Sequence, residues 1–498
     1  MNDLRRSRDH TKSTHHMLDG AVRVFLAESL LIPTGLVTTI FLTRSLGPES
    51  YGIYGLAVGI VIWIEFSICN IFGGTSIKFI GEAENWEPIA IKVLRLYILI
   101  STASAAALWI FSGEIASLLG APKLGSYLSL LAIDIPILVL STAHRQILVG
   151  RGKFRERAMT SSVRWISRMV LIVLLVEAGL SAEGAILGII FSSLIELIIN
   201  RSYARIPLLK SSDFPLRRLL GYVTPLFFFA VGMRLYEKLD LLLVKALGGT
   251  ADQAGIYVAA QNLSIIPSLF ALSFSPLLLS TLSKAAGGGS REEVSHLIRT
   301  SYRLVVLLIP FAAIISGCSE EIVSLIFGIE YSGSAPLLSI LIFGSVATVF
   351  ISVNYAVLTA SGKPGLPATL AGPIVPISAV FYFLVIPRFG MIGASYVYTI
   401  LAWAGALATL TAVHYLWGVH PPARTVLRAI LVSAAAYYAG DLWKTSGIFV
   451  IIKILVVTAS VLASYFVMRE LTIKELRVLF SGLIYGIGSP GEGEGRIP

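Results

Sequence analysis

Apolar stretches long enough to cross a lipid bilayer follow one another along nearly the whole chain of 498 residues. A membrane-spanning helix needs about 20 such residues to cross roughly 30 Å of hydrocarbon. Charged residues make up only 14% of the chain, whereas soluble domains carry about 25%. The sequence therefore predicts an all-α polytopic membrane protein with about 14 transmembrane helices. The predicted crossings lie near residues 20–43, 51–72, 89–111, 126–149, 158–180, 183–203, 218–247, 254–282, 297–318, 335–359, 365–386, 391–417, 423–440 and 447–468.

Basic residues are concentrated in every second loop between these crossings. The loops after the fourth, sixth and eighth crossings carry several each, whereas the loops after the fifth and ninth contain glutamates and neither lysine nor arginine. Cytoplasmic loops of membrane proteins are enriched in lysine and arginine. We therefore expect a multi-pass protein of the cell (inner or cytoplasmic) membrane with both termini in the cytoplasm. The net charge of +10 has the same explanation, and we expect no nucleic-acid partner.

A short pattern of turns and helix starts occurs twice, about 200 residues apart. The matched segments are Thr43–Tyr54 with Val244–Tyr257, Gly150–Phe154 with Ala360–Pro364, and Glu183–Ala185 with Ile392–Ala394. Six crossings separate the members of each pair, so both copies have the same orientation in the membrane. Two such parallel bundles, with substrate held between them, form a transporter architecture.

The repeat divides the chain into five parts. We predict a cytoplasmic basic tail over residues 1–18, an N-terminal six-helix bundle over 19–210, a C-terminal six-helix bundle over 211–420, two additional transmembrane helices over 421–470 and a cytoplasmic tail over 471–498 with a disordered end. The loops on the predicted external side are all short, so we expect no folded domain outside the membrane.

Five of the cations inside predicted crossings are candidates for a binding site, because an ionisable side chain at that depth is costly unless it lines a cavity or is paired. Arg234 and Lys238 are four residues apart on the seventh crossing, and Arg164 and Arg168 are four apart on the fifth, so each pair shares one helical face. Arg23 lies in the first turns of the first crossing. Because guanidinium groups match phosphate oxygens, we expect a cavity between the bundles that suits an anionic, phosphate-bearing substrate.

Five carboxyl groups are candidates for coupling transport to protons or sodium, and the sequence does not single out one of them. They are Glu28, Glu65, Glu196, Glu237 and Asp240. Structural alternatives stay open for the charged residues. In one alternative, the charged cluster on the seventh crossing has no role beyond packing the bundles together. Arg164 and Arg23 can extend to the cytoplasmic interface and anchor their helices there.

The sequence also excludes several chemistries. It contains no Gly-x-x-x-x-Gly-Lys-Ser/Thr loop, so we expect that ATP is not the direct source of energy. We find no nucleophile–base pair and no spacing typical of metal ligands. The two cysteines, Cys69 and Cys318, are far apart and predict neither a disulfide framework nor a metal site. We therefore expect no enzyme activity, no cofactor and no metal.

Several of these motifs resemble a known family. The segment from Leu42 to Gly52 is similar to the opening signature of the polysaccharide and O-antigen flippases in the MATE-like (MOP) exporter superfamily. Further similar segments are Asp240 with its Leu-Gly turn, Gly255–Tyr257, Leu325–Tyr331, Ala360–Pro364 and Ile386–Ala394. These similarities extend from about residue 20 to residue 415.

The resemblance implies two six-helix lobes that rock against each other. It implies export of an undecaprenyl-pyrophosphate-linked oligosaccharide, a precursor of polysaccharide, O-antigen or teichoic type, from the inner leaflet to the outer. The five cations are then the residues that hold the pyrophosphate. The partners implied are the lipid-linked oligosaccharide, membrane lipids and the polysaccharide polymerase machinery. Two helices beyond twelve are common in members with lipid substrates, which favours a lipid-linked sugar.

Three alternatives remain. A small-molecule antiporter of the same superfamily needs an acidic cavity, against which the arginines argue. A membrane polymerase or ligase acting on the same lipid-linked sugars usually needs a substantial external loop. A scaffold keeps the fold without transporting anything.

Overall fold

The computed structural model describes residues 23–24, 26–83, 85–207, 238–287, 290–362, 366, 369–370 and 373–470. The predicted tails at 1–18 and 471–498, most of the seventh crossing, Arg234 and Glu237 lie outside these ranges. The helices are α1 (Leu31–Glu82), α2 (Glu87–Leu118), α3 (Pro122–Leu131), α4 (Asp134–Gly150), α5 (Phe154–Leu175), α6 (Ser181–Tyr203), α7 (Ala251–Ser264), α8 (Ile266–Gly287), α9 (Arg291–Val306), α10 (Ile309–Gly317), α11 (Ser319–Ile326), α12 (Ser334–Ala360), α13 (Ile374–Trp417), α14 (Ala423–Leu442) and α15 (Phe449–Val467). Residues 26–29 and 238–246 are also helical.

Within the described ranges, nine helical segments are long and apolar enough to cross a membrane. Three of them, Leu26–Cys69, Phe154–Tyr203 and Ile374–Trp417, contain 44, 50 and 44 residues, about twice the length of one crossing. Each is interrupted where the sequence separates two crossings, at Gly47, at a π-helical turn (Val176–Leu180) and at Gly390. The all-helical, polytopic class is confirmed, whereas the count of about fourteen and the two bundles stay predictions.

Large apolar side chains cover the outer surface of these helices. Leu384 and Phe389 on α13 are 64% and 66% exposed, and Leu99 on α2 is 67% exposed. A continuous apolar surface of this kind is costly in water, whereas lipid tails solvate it at no cost. The outer surface is therefore the one that a bilayer covers.

The turns of the internal repeat have matching backbone geometry. Gly47 and Gly248 follow the recurring basic residue, and their φ angles are 71° and 105°. Gly152 and Gly362, which precede a lysine in both copies, have φ angles of 71° and 75°. Residues with a Cβ rarely adopt these positive values. Glycine therefore recurs at these positions because each copy makes the same turn.

The two halves of the chain, residues 26–207 and 238–417, meet at one end of the molecule. This end, called the closed end below, is formed by the turns at 44–51, 118–122, 247–251 and 326–333. Here α1 packs directly against α7, and the Tyr331 hydroxyl donates a hydrogen bond to the Thr43 carbonyl across 3.2 Å. The close approach of the halves closes the space between them at this end.

Buried ion pairs attach the last two helices to the second half of the chain. Lys453 on α15 is fully buried, and its ammonium lies 2.7 Å from the Glu321 carboxylate on α11. At the other end of α15, the Glu470 carboxylate lies 3.8 Å from Arg303 Nε on α9 and accepts hydrogen bonds from two residues of α14, Arg428 at 2.5 Å and Thr425 at 2.9 Å. Gly317 on α10 lets α14 approach closely, since a Cβ there would lie 2.4 Å from the Tyr437 carbonyl oxygen.

Candidate functional site

A cavity of about 850 Å³ lies among the helices of the first half and extends to the second. Its walls are formed mainly by α1, α4 and α5, and residues 238–246 and α7 complete it near the closed end. Arg157, Ser161, Arg164 and Arg168 follow one another on α5 at spacings of four, three and four residues. This spacing places them on one helical face, and the three arginines line the cavity.

Two of the cavity arginines share a buried carboxylate from a third helix. Glu196 on α6 is fully buried, and its oxygens lie 3.4 Å from Arg145 Nη1 and 3.6 Å from Arg164 Nε. At these distances the contacts are ion pairs rather than hydrogen bonds. Arg145 also donates a hydrogen bond of 2.6 Å to the Thr142 hydroxyl. Glu196 therefore lies behind both guanidinium groups and fixes them in the cavity wall.

A second carboxylate holds Arg157 in the same way. Glu28, in the helical residues before α1, forms an ion pair with Arg157. It also accepts a hydrogen bond of 3.1 Å from the Ser161 hydroxyl and one of 3.4 Å from the Trp165 indole nitrogen. Three neighbours on α5 thus converge on one carboxylate, which ties the start of the first crossing to the fifth.

Two further carboxyl groups line the cavity near the arginines. Glu65 on α1 and Asp134 on α4 are 4% and 1% exposed and lie close enough to interact electrostatically. Arg164 and Arg168 lie near both groups. The cavity therefore contains two buried, neighbouring carboxyl groups beside a cluster of arginines.

The part of the cavity nearest the closed end is polar without being acidic. Arg168 lies near the Tyr54 hydroxyl, and the Lys238 side chain passes beside Gly59 on α1. The Asn262 amide on α7 donates a hydrogen bond of 2.8 Å to the Tyr51 hydroxyl. A ligand in this part of the cavity would thus meet cationic and hydroxyl donors from both halves of the chain.

The structure brings five of the ten predicted site residues together. Those that line the cavity are Arg164, Arg168, Lys238, Glu65 and Glu28. Glu196 lies directly behind them. Arg164 is buried and ion-paired, so it does not extend to the interface as the structural alternative expects.

The other predicted residues have different positions. Arg23 is exposed and is not among the residues that line the cavity. Asp240 is buried away from the cavity and accepts hydrogen bonds from Tyr257 at 2.9 Å and Gln261 at 2.7 Å, which indicates a structural role. Arg234 and Glu237 fall outside the described residues.

Sequence reasoning missed three cavity residues, and each of them has a signal in the sequence. Arg157 and Arg145 belong to the basic residues around the end of the fourth crossing, which the loop-charge pattern assigns to the cytoplasmic side. The spacing of Arg157 from Arg164 and Arg168 indicates a shared face, and Arg145 lies inside the fourth crossing rather than beyond its end. Asp134 also lies inside that crossing, where a carboxyl group by default lines a cavity or is paired.

Among the residues that the structure describes, those that line the cavity include five cations and three carboxyl groups. They are Arg145, Arg157, Arg164, Arg168 and Lys238, with Glu28, Glu65 and Asp134. Guanidinium groups in a low-dielectric wall bind phosphate oxygens through paired, charge-assisted hydrogen bonds. Fold and site together define a polytopic helical transporter with a largely cationic central cavity.

The family follows from the sequence itself. Residues 41–336 match the family described as polysaccharide biosynthesis protein, and the chain belongs to this family. The resemblance to polysaccharide and O-antigen flippases of the MOP superfamily, which rested on turn motifs, is confirmed.

Two relatives illustrate the family. The chain is 24% identical, over 399 residues, to the probable low-salt glycan biosynthesis flippase Agl15 of Haloferax volcanii, which covers 80% of this chain and 82% of the relative. It is 26% identical, over 313 residues, to the succinoglycan biosynthesis transport protein ExoT of Rhizobium meliloti, which covers 61% of each chain.

Solved structures of low sequence identity have the same fold. The lipid II flippase MurJ in an inward closed conformation superposes with a TM-score of 0.72 at 17% identity, covering 93% of this chain and 99% of that one. An inward-facing multidrug resistance MATE family transporter of the MOP superfamily gives a TM-score of 0.58 at 15% identity, covering 84% and 98%. At such identities these likenesses concern the fold alone.

Proposed function

We propose that the chain is a flippase that moves an undecaprenyl-pyrophosphate-linked oligosaccharide from the inner to the outer leaflet by alternating access. The observation that carries this proposal is the cluster of arginines in the cavity, three of which are held in place by Glu196 and Glu28. Oriented guanidinium groups suit a pyrophosphate better than an organic cation. The relatives named for glycan and succinoglycan transport support the same class of cargo.

The pyrophosphate site consists of Arg145, Arg157, Arg164, Arg168 and Lys238. Arg234 completes it if the seventh crossing faces the same cavity, as its spacing from Lys238 predicts. Arg23 is not part of this proposed site because it is exposed. An anionic headgroup that leaves a negative cytoplasm is favoured by the membrane potential, by about 2.3 kcal/mol per charge per 100 mV.

The scaffold for this movement is two parallel six-helix bundles with two further helices, about fourteen crossings in all. Both termini lie in the cytoplasm, and the membrane is the inner or cytoplasmic one. The substrate and the surrounding lipids are the immediate partners. The polysaccharide polymerase machinery acts on the exported oligosaccharide.

Proton coupling in this scheme uses Glu65. Among the candidate carboxyl groups that the structure describes, Glu65 lines the cavity beside a second buried carboxyl group, Asp134. Arg164 and Arg168 lie near both groups, so a pyrophosphate bound to these arginines would raise the proton affinity of the two carboxyl groups. Glu196, Glu28 and Asp240 have structural partners instead.

The second candidate function is an ion-coupled small-molecule antiporter of the MATE type. The protonatable pair of Glu65 and Asp134 favours it, because such a pair can exchange a proton for an organic cation. The surplus of cations over carboxyl groups in the cavity opposes it. A polymerase or ligase has less support, because the loops predicted on the external side are all short.

Transfer measured in proteoliposomes with three cargoes tests the proposal. We expect movement of a fluorescent undecaprenyl-pyrophosphate sugar between leaflets, little movement of a neutral sugar lipid with the same tail, and no uptake of an organic cation. Uptake of the organic cation without lipid transfer would contradict the flippase and favour the antiporter. Absence of all three fluxes from a folded preparation would favour a scaffold.

A further inference from the structure

We propose that the recurring basic residue of the internal repeat, Arg44 in the first copy and Lys245 in the second, is a two-part latch. The latch holds the closed end shut on the outer side of the membrane, and it must break before the cavity opens there. This inference rests on the alternating access proposed above but not on the identity of the cargo.

Arg44 reaches from the first half of the chain to the second. Its Nε donates a hydrogen bond of 3.0 Å to the Ile326 carbonyl, and its Nη2 donates one of 2.5 Å to the Leu325 carbonyl. These are the last two carbonyls of α11, where the helix dipole places partial negative charge. The guanidinium group thus binds a helix end of the opposite half.

Lys245 makes the reciprocal contact. Its ammonium donates a hydrogen bond of 3.4 Å to the Gly120 carbonyl, just beyond the end of α2 in the first half, and one of 2.9 Å to the Gly249 carbonyl. Each copy of the repeat therefore sends its cation to a helix end of the other half. Two equivalent bundles related by an axis along the membrane normal are expected to make such contacts in pairs, one from each bundle to the other.

A pair of repeat glycines makes this contact between the halves possible. A Cβ on Gly52 would lie 2.0 Å from the Ala251 carbonyl oxygen, and a Cβ on Gly255 would lie 1.9 Å from the Pro48 carbonyl oxygen. Both atoms belong to the backbone of the opposite half, which a side chain cannot displace without moving the helix. Any residue larger than glycine at either position must therefore push the halves apart.

A buried layer lies under the latch and completes the seal. Tyr51 and Tyr331 are 3% and 1% exposed, and their rings meet edge to face with centroids 6.3 Å apart. Tyr51 also lines the cavity from this side. The cavity is thus sealed at the closed end by the latch, the glycine contact and the tyrosine layer.

The experiment measures how fast a cysteine in the cavity reacts with a membrane-impermeant thiosulfonate from each side of the membrane. Val58 lines the cavity, so Val58→Cys is placed in a chain whose native cysteines are removed by Cys69→Ala and Cys318→Ala. We expect fast reaction from the cytoplasmic side and slow reaction from outside. The double variant Arg44→Gln/Lys245→Gln, and separately Gly52→Ala, should raise the outside rate by about tenfold.

Matched variants at neutral positions control for these changes. Lys123→Gln removes an exposed cation near the start of α3, and Gly113→Ala adds a methyl group on α2 where no heavy atom lies within 4 Å. Both should leave the two rates unchanged. Retained reaction from the cytoplasmic side shows that each variant is folded. An outside rate that stays at the control level in Arg44→Gln/Lys245→Gln would overturn the latch, whatever cargo the protein carries and whatever the effect of Gly52→Ala.

Discussion

Three cavity arginines are each held by a carboxylate on a different helix. Glu196 supports Arg145 and Arg164, and Glu28 supports Arg157. Burial of a guanidinium group without a counter-charge costs several kcal/mol, so these carboxylates make the cationic cavity possible in the absence of substrate. A bound anion would then share the arginines with the carboxylates rather than replace them.

Removal of the Glu196 charge tests this arrangement. We expect Glu196→Gln to destabilise the purified protein by about 3 kcal/mol, because two arginines lose their counter-charge. Inorganic pyrophosphate should restore more stability in this variant than in the wild type, since it supplies the missing negative charge. The measurement is thermal unfolding in detergent with and without pyrophosphate.

Glu321→Gln is the matched control for that experiment. It breaks the buried pair with Lys453, which lies away from the cavity, so it should destabilise the protein without any additional response to pyrophosphate. Equal responses of the two variants to pyrophosphate would show that the anion does not bind at the Glu196-supported arginines.

Neutralising Glu65 addresses proton coupling. A glutamine has nearly the same shape as the glutamate but neither binds nor releases a proton, so Glu65→Gln should transfer lipid-linked sugar under a membrane potential without responding to a pH gradient. Asp240→Asn is the control, because Asp240 lies outside the cavity with its own partners. A pH-gradient response that survives in Glu65→Gln would exclude this carboxyl pair as the coupling site.

At the scale of helices, part of the architecture could be predicted from the sequence. Apolar length and the Gly-containing turns gave the places where long helices are interrupted, because glycine is required there by the backbone. The arginines on α5 could be assigned to a cavity from their spacing, which is also a local feature of the sequence. The contacts of Arg44 and Lys245 could not be predicted, because no local pattern indicates which helix end of the other half each cation contacts.

Close packing of α14 on α10 gives a prediction at this scale. We expect Gly317→Ala to lower the free energy of unfolding by about 1–3 kcal/mol, because its Cβ would meet the Tyr437 carbonyl at 2.4 Å and force the helices apart. Thermal unfolding measures the effect, with Gly113→Ala as the unhindered comparison. Equal stability of the two variants would mean that the last two helices adapt to the change without loss.

At the scale of the whole molecule, the halves meet at the closed end and the cavity arginines lie among α1, α4 and α5. The basic turn that contains Arg151 and Lys153 connects α4 to α5. The distribution of loop charges predicts that this turn faces the cytoplasm. The proposed outward movement of an anion depends on that orientation.

Orientation is testable independently of transport. We expect epitope tags on both termini to be inaccessible to antibody in intact cells and accessible after permeabilisation, because the basic loops hold both ends in the cytoplasm. A tag in the turn at 444–447 should be accessible from outside. The opposite pattern would reverse the direction of transport, and accessibility of one terminus alone would refute an even number of crossings.

Leaflet transfer by charge variants of the cavity tests whether its arginines bind the pyrophosphate. Movement of undecaprenyl-pyrophosphate sugar between leaflets is followed in proteoliposomes with and without an inside-negative potential. The proteins compared are the wild type, the cavity variant Arg164→Gln/Arg168→Gln and the control Arg151→Gln. Arg151 lies in the turn after α4 and stacks on Trp86. We predict potential-driven transfer by the wild type and Arg151→Gln, and a loss of about tenfold or more in the cavity variant. Transfer by the cavity variant at the wild-type rate would contradict the account.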